Sequence, residues 1–394
     1  MNHFLLGETI ATLRKKRKLT QSALADILNV SNKTVSKWET GLSSPEIFLL
    51  PRLAAAFDVT VDYLLSERLC GIAIVGNLHM DRLIYLDADY KKSLIANATS
   101  IIPSIGGCVA SVAFNLAKID TTIPLSGFGC IGNDENGRII LSRLQRYNVK
   151  TSGITSVSAN TGMTDYLINP DRNRFLVRNP GANLLFDPTD IDISNLTCRI
   201  AHFSRLYLPR YWEPDGDFGC KLTKVLHDLQ EAGIRTSISL IDSAFYIPKE
   251  HAPSILKHCD YLMTSSYSRI SGVGTNLTGE VSDIQSYMQQ LLDLGVREKV
   301  FCFQSHHKGF CLSKNKHFSS ACLKSVRFED IVSNWGIDDD LSSGCLYGIY
   351  HGFLDQDILE FSLGATIAAR LYKRDDIGMP PKKKILRIID QYRI

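Results

Sequence analysis

The sequence predicts an α/β protein that carries an all-α head. Two observations predict it. Residues 4–66 contain only short runs of helical apolar spacing between polar turns, whereas from Gly71 onward short apolar strands alternate with helices at Gly-rich turns. Strands and helices alternating at that length imply a mainly parallel sheet with helices on both faces. At 394 residues the chain is too long for one ordinary core. It divides into a head over residues 1–67, a large domain over 70–374 and a basic tail over 375–394.

The head opens with Phe4-Leu-Leu-Gly-Glu-Thr-Ile-Ala-Thr-Leu-Arg14, apolar at helical spacing, and runs into the basic stretch Arg14-Lys-Lys-Arg-Lys18. Thr20 is suited to cap a second helix opened by Gln21, because its hydroxyl accepts from the unpaired N–H groups of a first turn. Asn29-Val-Ser31 makes the turn, Ser31 or Asn32 caps the next helix, and Gly41 ends it in the left-handed conformation. Val35 and Trp38 read as core. Residues 49–57 and 61–65 supply the closing helices. The junction 66–70 has little Gly or Pro, which suggests a short tether rather than a long flexible one.

In the large domain Gly71-Ile-Ala-Ile-Val75 is a buried strand, followed by the turn Gly76-Asn-Leu-His-Met-Asp81. Residues 82–104 carry short alternating segments that suit a small sheet standing off the main one. Gly106-Gly107 opens an apolar helix, and Leu125 to Gly137 is a strand and Gly turn leading into another. Helices over 221–232 and 284–294 and strands over 235–241, 260–263 and 300–303 follow. The segment Ile331-Val-Ser-Asn-Trp-Gly-Ile-Asp-Asp-Asp-Leu-Ser-Ser-Gly344 reads as a strand end, a Gly turn and a helix start. Such a turn aims backbone N–H groups at one spot, where the helix dipole favours an anion. Asp339 falls at the lip of that spot, placed to take a proton from a hydroxyl. The terminal Pro380-Pro-Lys-Lys-Lys-Ile-Leu-Arg-Ile-Ile389 reads as a basic helix.

A net charge of +3 is too small to mark the whole chain as a nucleic-acid binder, so local charge decides. Ten cysteines are scattered without a C-x-x-C pair, the pattern of buried thiols in a reducing compartment rather than of a metal site or a disulfide framework. The first residues lack a signal pattern and no apolar run is long enough to span a bilayer, so a cytoplasmic protein without membrane contact is expected.

The head resembles the Cro/repressor-type (XRE) helix-turn-helix family across its length. Thr20-Gln21, Leu24-Ala25, Val30-Ser31, Val35-Ser36-Lys37-Trp38-Glu39, Gly41, Pro45, Val59 and Leu64-Leu65 carry the match. The resemblance implies that the second helix of the motif enters the major groove of double-stranded operator DNA. It places Asn32, Lys33, Thr34 and Ser36 toward bases and Gln21, Lys37 and the basic run toward phosphates, and it counts Ser31 among the DNA-binding residues.

Residues 70–374 resemble the PfkB (ribokinase-like) sugar kinases. The match rests on Gly76 to Asp81, Gly106-Gly107, Gly129-x-x-Gly132-Asn-Asp134-x-x-Gly137, Asn179-Pro-Gly-Ala-Asn183 and the Gly336–Asp339 turn. It implies a ribokinase-like α/β/α fold with a small β lid. It also implies a sugar site around Asp81, Asn77, His79, Gly106, Gly107 and Ser111, with Arg178 and Asn183 closing over it, and Asp339 as catalytic base. ATP and Mg²⁺ would bind beside His306, Lys308, Gly309 and the anion turn at Gly336.

Several positions depart from that pattern. Asp338 stands where the family has a Gly that approaches phosphate, and Ser265-Ser-Tyr-Ser268 replaces the Asn-x-x-Glu that organises magnesium. Ser333 replaces the Asp that opens the signature, His306 a Gly of the nucleotide turn, and Ser111 an Asn. A second charge about 4 Å from the moving phosphate costs roughly 1–4 kcal/mol, enough to slow transfer about 10- to 1000-fold. The sequence therefore reads first as a transcription regulator, working as a homodimer, whose kinase-derived domain senses a sugar or related metabolite. The competing reading is a working ATP-dependent sugar kinase that also regulates transcription.

Overall fold

The spacing in the head closes into a small helical core. A computed structural model describes residues 3–57, 59, 61, 64, 70–91, 95–171, 173–241, 247–266, 280–332, 336–372 and 378–394. It separates into two units, Met1–Cys70 and Gly71–Ile394. The head contains α1 (His3–Lys16), α2 (Gln21–Leu28), α3 (Asn32–Glu39) and a 3₁₀ turn, Ile47–Leu49, running into α4 (Leu50–Phe57). Thr20 caps α2 by accepting from Ala23 N–H at 3.1 Å, and Ser31 caps α3 by accepting from Thr34 N–H at 3.0 Å. Asn29 and Gly41 end these helices in the left-handed region, at φ 57° and 73°. Val35 and Trp38 are buried against Leu24, Leu28, Leu53 and Phe57. The expected closing helix over 61–65 and the junction 66–69 fall largely outside the described residues.

The second unit is built on a nine-stranded sheet. In chain order its strands are β1 (Ile72–Val75), β4 (Leu125–Gly132), β5 (Val149–Val157), β8 (Ile200–Ser204), β9 (Arg235–Leu240), β10 (Tyr261–Ser265), β11 (Lys299–Ser305), β12 (Lys308–Ser313) and β13 (Phe318–Cys322). Their spatial order is β13-β12-β11-β10-β9-β8-β1-β4-β5. The pairings from β5 to β11 are parallel, and β12 and β13 join antiparallel at the far edge. Strands buried on both faces read as continuous apolar runs, as β1 does with all four residues buried. A second sheet, ordered β3-β2-β6-β7, contains β2 (His79–Leu86), β3 (Ala98–Gly106), β6 (Gly162–Ile168) and β7 (Arg174–Asn179). It is the small lid sheet that the alternating segments imply.

The helices are α5 (Cys108–Ile119), α6 (Glu135–Arg146), α7 (Lys221–Glu231), α8 (Ala252–Lys257), α9 (Val281–Asp293), α10 (Ile337–Tyr350), α11 (Asp355–Leu371) and α12 (Lys382–Tyr392). Helix α10 packs on α5 and α11, which brings the anion turn beside the first Gly-Gly turn.

Two expectations change here. The strand at 299–305 is not the last before the anion turn, because β12 and β13 intervene. The turn from β11 into β12, His306-His307, carries none of the Gly or Asn that mark a two-residue hairpin, so the sequence gives no cue to that pairing. Residues 331–332 do not extend a strand; Val332 N–H instead donates to Arg370 O at 2.9 Å. The basic C-terminal helix belongs to the second unit. Ile385, Ile388 and Ile389 of α12 are buried in its main core while Lys382, Lys383 and Lys384 face solvent. Tyr392 O accepts from Lys324 N–H at 2.7 Å.

Candidate functional site

Helix α3 buries Val35 and Trp38 and turns the rest of its surface outward. Asn32, Lys33 and Lys37 are exposed and Thr34 and Ser36 half-buried on that surface, so the side chains expected near bases share one accessible face. Ser31 is spent differently: its hydroxyl caps the helix and lies 2.7 Å from Thr34 Oγ1. The basic run divides. Arg14 grips Glu39 through two hydrogen bonds, at 2.6 and 2.9 Å, and Arg17 donates to Phe57 O at 2.9 Å. Gln21 Nε2 donates to the same Glu39 at 2.8 Å. Arg14 and Gln21 therefore fix α1, α2 and α3 to one another, while Lys15, Arg17 and Lys18 of the run are exposed.

In the second unit a cavity of about 340 Å³ lies between the inner face of the lid sheet, the Gly-Gly turn and the N-terminus of α10. Strand register explains its upper wall. Ser104, Asp81, Thr164 and Arg178 are direct neighbours across β3, β2, β6 and β7, so their side chains leave the same face of the sheet. All four line the cavity. Gly106 is required there, because a Cβ would stand 2.2 Å from Asp81 Oδ2.

The turn before the lid orients Asp81. Asn77 Oδ1 accepts from Cys108 N–H at 3.1 Å, so its amide nitrogen faces His79 Nδ1, at 2.9 Å, as a donor. The neutral ring then carries its proton on Nε2, which lies 3.0 Å from Asp81 Oδ1. That contact is outside hydrogen-bonding geometry and leaves the buried Oδ1 without a hydrogen bond. A carboxylate oxygen held in this way favours a hydroxyl donor.

The lower wall is the start of α10. Gly336 adopts φ 66° ahead of the helix, and no side chain caps its first turn. Asp339 is buried and faces the cavity, with Arg205 Nη2 3.6 Å from its Oδ2. Asp340 is fully buried and accepts from Asn115 Nδ2 at 2.9 Å. Asp338 is half-buried one position round the same turn. Three acids in one first turn satisfy the helix dipole from within. Ser111 and Gly107 complete the floor.

Sequence reasoning placed Asn183 in the binding site, and the structure corrects this. Its Oδ1 accepts from Leu78 N–H at 2.8 Å, and its Nδ2 donates to Leu78 O at 2.8 Å and Pro180 O at 2.9 Å. Its polar atoms are spent on backbone, so it clamps the lid turn. His306, Lys308 and Gly309 do not line the cavity either. His306 sits at the β11–β12 turn with Nε2 buried and unbonded, and burial, aided by Arg370, pushes its pKa down to about 4. Lys308 Nζ lies 5.5 Å from the centre of the Phe310 ring, and Gly309 gives room to Phe303. Ser333, Tyr267 and Ser268 lie outside the described residues.

Arg205, Tyr207 and Tyr166 were missed and all line the cavity. A signal existed for the first two: they follow directly on the C-terminal end of the parallel strand β8, where open α/β sheets bind ligands. Burial pushes the pKa of the Tyr166 and Tyr207 phenols up to about 12, so both stay protonated.

Known proteins give this architecture its context. Residues 10–64 match the helix-turn-helix family model, and residues 71–369 match that of the pfkB family carbohydrate kinases. The chain is 35% identical over 125 residues to the HTH-type transcriptional activator BcrR of Enterococcus faecalis, covering 30% of this chain and 60% of that protein. It is 42% identical over 66 residues to repressor protein C2 of Salmonella phage P22, covering 17% of this chain and 31% of that one. The chain thus spans less than two thirds of either regulator. Across 92% of both chains it is 22% identical to the uncharacterized sugar kinase YeiI of Escherichia coli. The ribokinase of Arabidopsis thaliana, solved with ribose and ATP, superimposes with a TM-score of 0.66 at 18% identity, covering 82% of this chain and 99% of that one. The ribokinase of Thermotoga maritima gives 0.65 at 16%, with the same coverage. Among the described residues no helix is long and apolar enough to cross a membrane. A ribokinase-like sheet, its lid and a family match over residues 71–369 agree: the chain belongs to the pfkB family of carbohydrate kinases, with a helix-turn-helix unit at its N-terminus.

Proposed function

We propose that this protein is a cytoplasmic transcription regulator that binds operator DNA through α3 and a sugar-like metabolite through the lid cavity. One observation carries the reading: an accessible recognition helix and a cavity lined by the lid carboxylate Asp81 lie on the same chain. Ligand binding changes DNA affinity only insofar as the ligand prefers one arrangement of the protein over another. A homodimer on a two-fold operator suits such a head. The outer face of the lid sheet, where Ile101, Phe175 and Val177 are about half exposed, offers an apolar surface for pairing.

On this reading phosphotransfer is weak or absent. ATP with Mg²⁺ is what the family implies, but the nucleotide side fits it poorly. Magnesium prefers carboxylate and water oxygens, and Ser265 supplies a hydroxyl where the family pattern begins its metal shell. Asp339 has Arg205 3.6 Å from its Oδ2, and His306 stands neutral and buried at the turn. The second reading, an active kinase that also regulates, rests on Asp339 and the left-handed Gly336 turn, which are both in place.

The test is a coupled ADP-release assay with Mg-ATP across pentoses, hexoses, sugar acids and nucleosides, run beside Asp339→Asn. Our reading expects no turnover together with a ligand that raises the melting temperature. Turnover that vanishes in Asp339→Asn establishes the kinase instead.

A further inference from the structure

The cavity contains two guanidinium groups that a neutral sugar does not require. We propose that its ligand is a sugar acid, whose hydroxyls meet Asp81 and whose carboxylate is held between Arg178 and Arg205. This deepens the sugar-binding reading and rests on it.

Three observations carry the inference. Arg205 follows directly on β8 with φ 54°, a left-handed conformation that is strained for a non-glycine residue and gathers at functional sites. Its side chain is 19% exposed, lines the cavity, and stays 3.6 Å from Asp339, longer than a direct charged hydrogen bond. Arg178 stands at the far end of the row that begins with Ser104 and Asp81, two strands from Asp81 and on the same face of the lid. At roughly 4.8 Å between strands, the acid and the arginine are about 10 Å apart at the backbone, the span of a monosaccharide with its substituents.

The third observation concerns the two buried phenols. Tyr166 and Tyr207 each lie within electrostatic reach of both Arg178 and Arg205. Burial keeps both protonated, so neither phenol adds a negative charge beside the two cations.

Charge balance does not favour an acid over a neutral sugar, but it chooses between anions. Asp81, Asp339 and Asp340 also line the cavity, so its walls carry more negative than positive charge. A carboxylate adds one negative charge, whereas a phosphate monoester adds nearly two beside those three acids. The balance favours the carboxylate. A cavity of about 340 Å³ holds a monosaccharide-sized acid.

The test uses the full chain and calorimetric titration with matched pairs: D-gluconate against D-glucose, D-galacturonate against D-galactose, and glucose 6-phosphate as the phosphate arm. At least one acid binds 10-fold or more tighter than its neutral partner. Arg178→Gln, on the exposed strand β7, and Arg205→Met each weaken that acid at least 10-fold and change the neutral partner less than 3-fold. Arg205→Lys, which keeps the charge, retains part of the preference and reports on folding. Neutral sugars binding as tightly as their acids overturn the inference and leave the sugar reading standing. A preference for the phosphate overturns it in the same way. No binding by any member overturns both.

Discussion

The two walls of the cavity handle their charges differently. On the lid wall Asp81 keeps a buried oxygen without a hydrogen bond, in a row with Thr164 and Arg178 that faces inward. On the helix wall Asp339 is opposite Arg205, Asp340 is tied to Asn115, and Ser343 Oγ donates to Asp339 O at 2.5 Å. The first wall has bonding capacity left for a hydroxyl-bearing ligand, while the second uses much of its own on itself. A site can therefore keep recognition and lose turnover, because recognition needs unspent hydrogen bonds and phosphoryl transfer needs unspent charge stabilisation.

The largest effect should come from the lid wall. Asp81→Ala should weaken the ligand at least 100-fold in calorimetric titration, the scale expected when a carboxylate that takes hydroxyls is removed. Gly106→Ala should come close to the same loss without altering a charge, since its Cβ would stand 2.2 Å from Asp81 Oδ2. Normal binding by Gly106→Ala would break the claim that this carboxylate is held in place. Asn183→Ala should act on stability. Removing a buried side chain with three hydrogen bonds to backbone costs about 2–3 kcal/mol, or a fall in Tm of roughly 4–10 °C.

Smaller effects are expected away from the lid. Asp339→Asn should change ligand affinity less than 3-fold, and a loss matching that of Asp81→Ala would erase the distinction between the walls. Acid should act on stability rather than on ligand affinity. His202 is fully buried in β8, and burial lowers its pKa from 6.5 to about 3. The unfolded chain then binds the extra proton between those values, so stability is fully present above pH 6.5 and declines toward pH 3. The slope is as much as about 1.4 kcal/mol per pH unit. Denaturant midpoints measured for His202→Asn against the parent should show a flatter decline over that window.

Much of this was legible in the sequence wherever local chemistry carries the meaning. Thr20, Ser31 and Gly41 announced the helix ends of the head, and Gly106-Gly107 and Gly336 announced turns at the cavity. What escaped depends on partners distant in sequence. Arg14 looked like a phosphate contact because its hold on Glu39 spans 25 positions. Asn183 looked like a ligand because its clamp on Leu78 spans 105. The terminal segment read only as a basic helix because the core that its three isoleucines enter is built by segments far upstream. Arg205 stood in plain view after a buried strand, but only strand order shows that the strand ends at the cavity.

The measurement that bears most directly on the account is operator affinity with and without ligand. A duplex selected by the full chain from random DNA would be titrated by fluorescence anisotropy at fixed salt, because salt alone shifts such affinities. Saturating ligand should change the affinity at least 10-fold in the parent and leave Asp81→Ala unmoved. Equal affinity in both conditions, with the ligand demonstrably bound, would contradict the coupling of the two units.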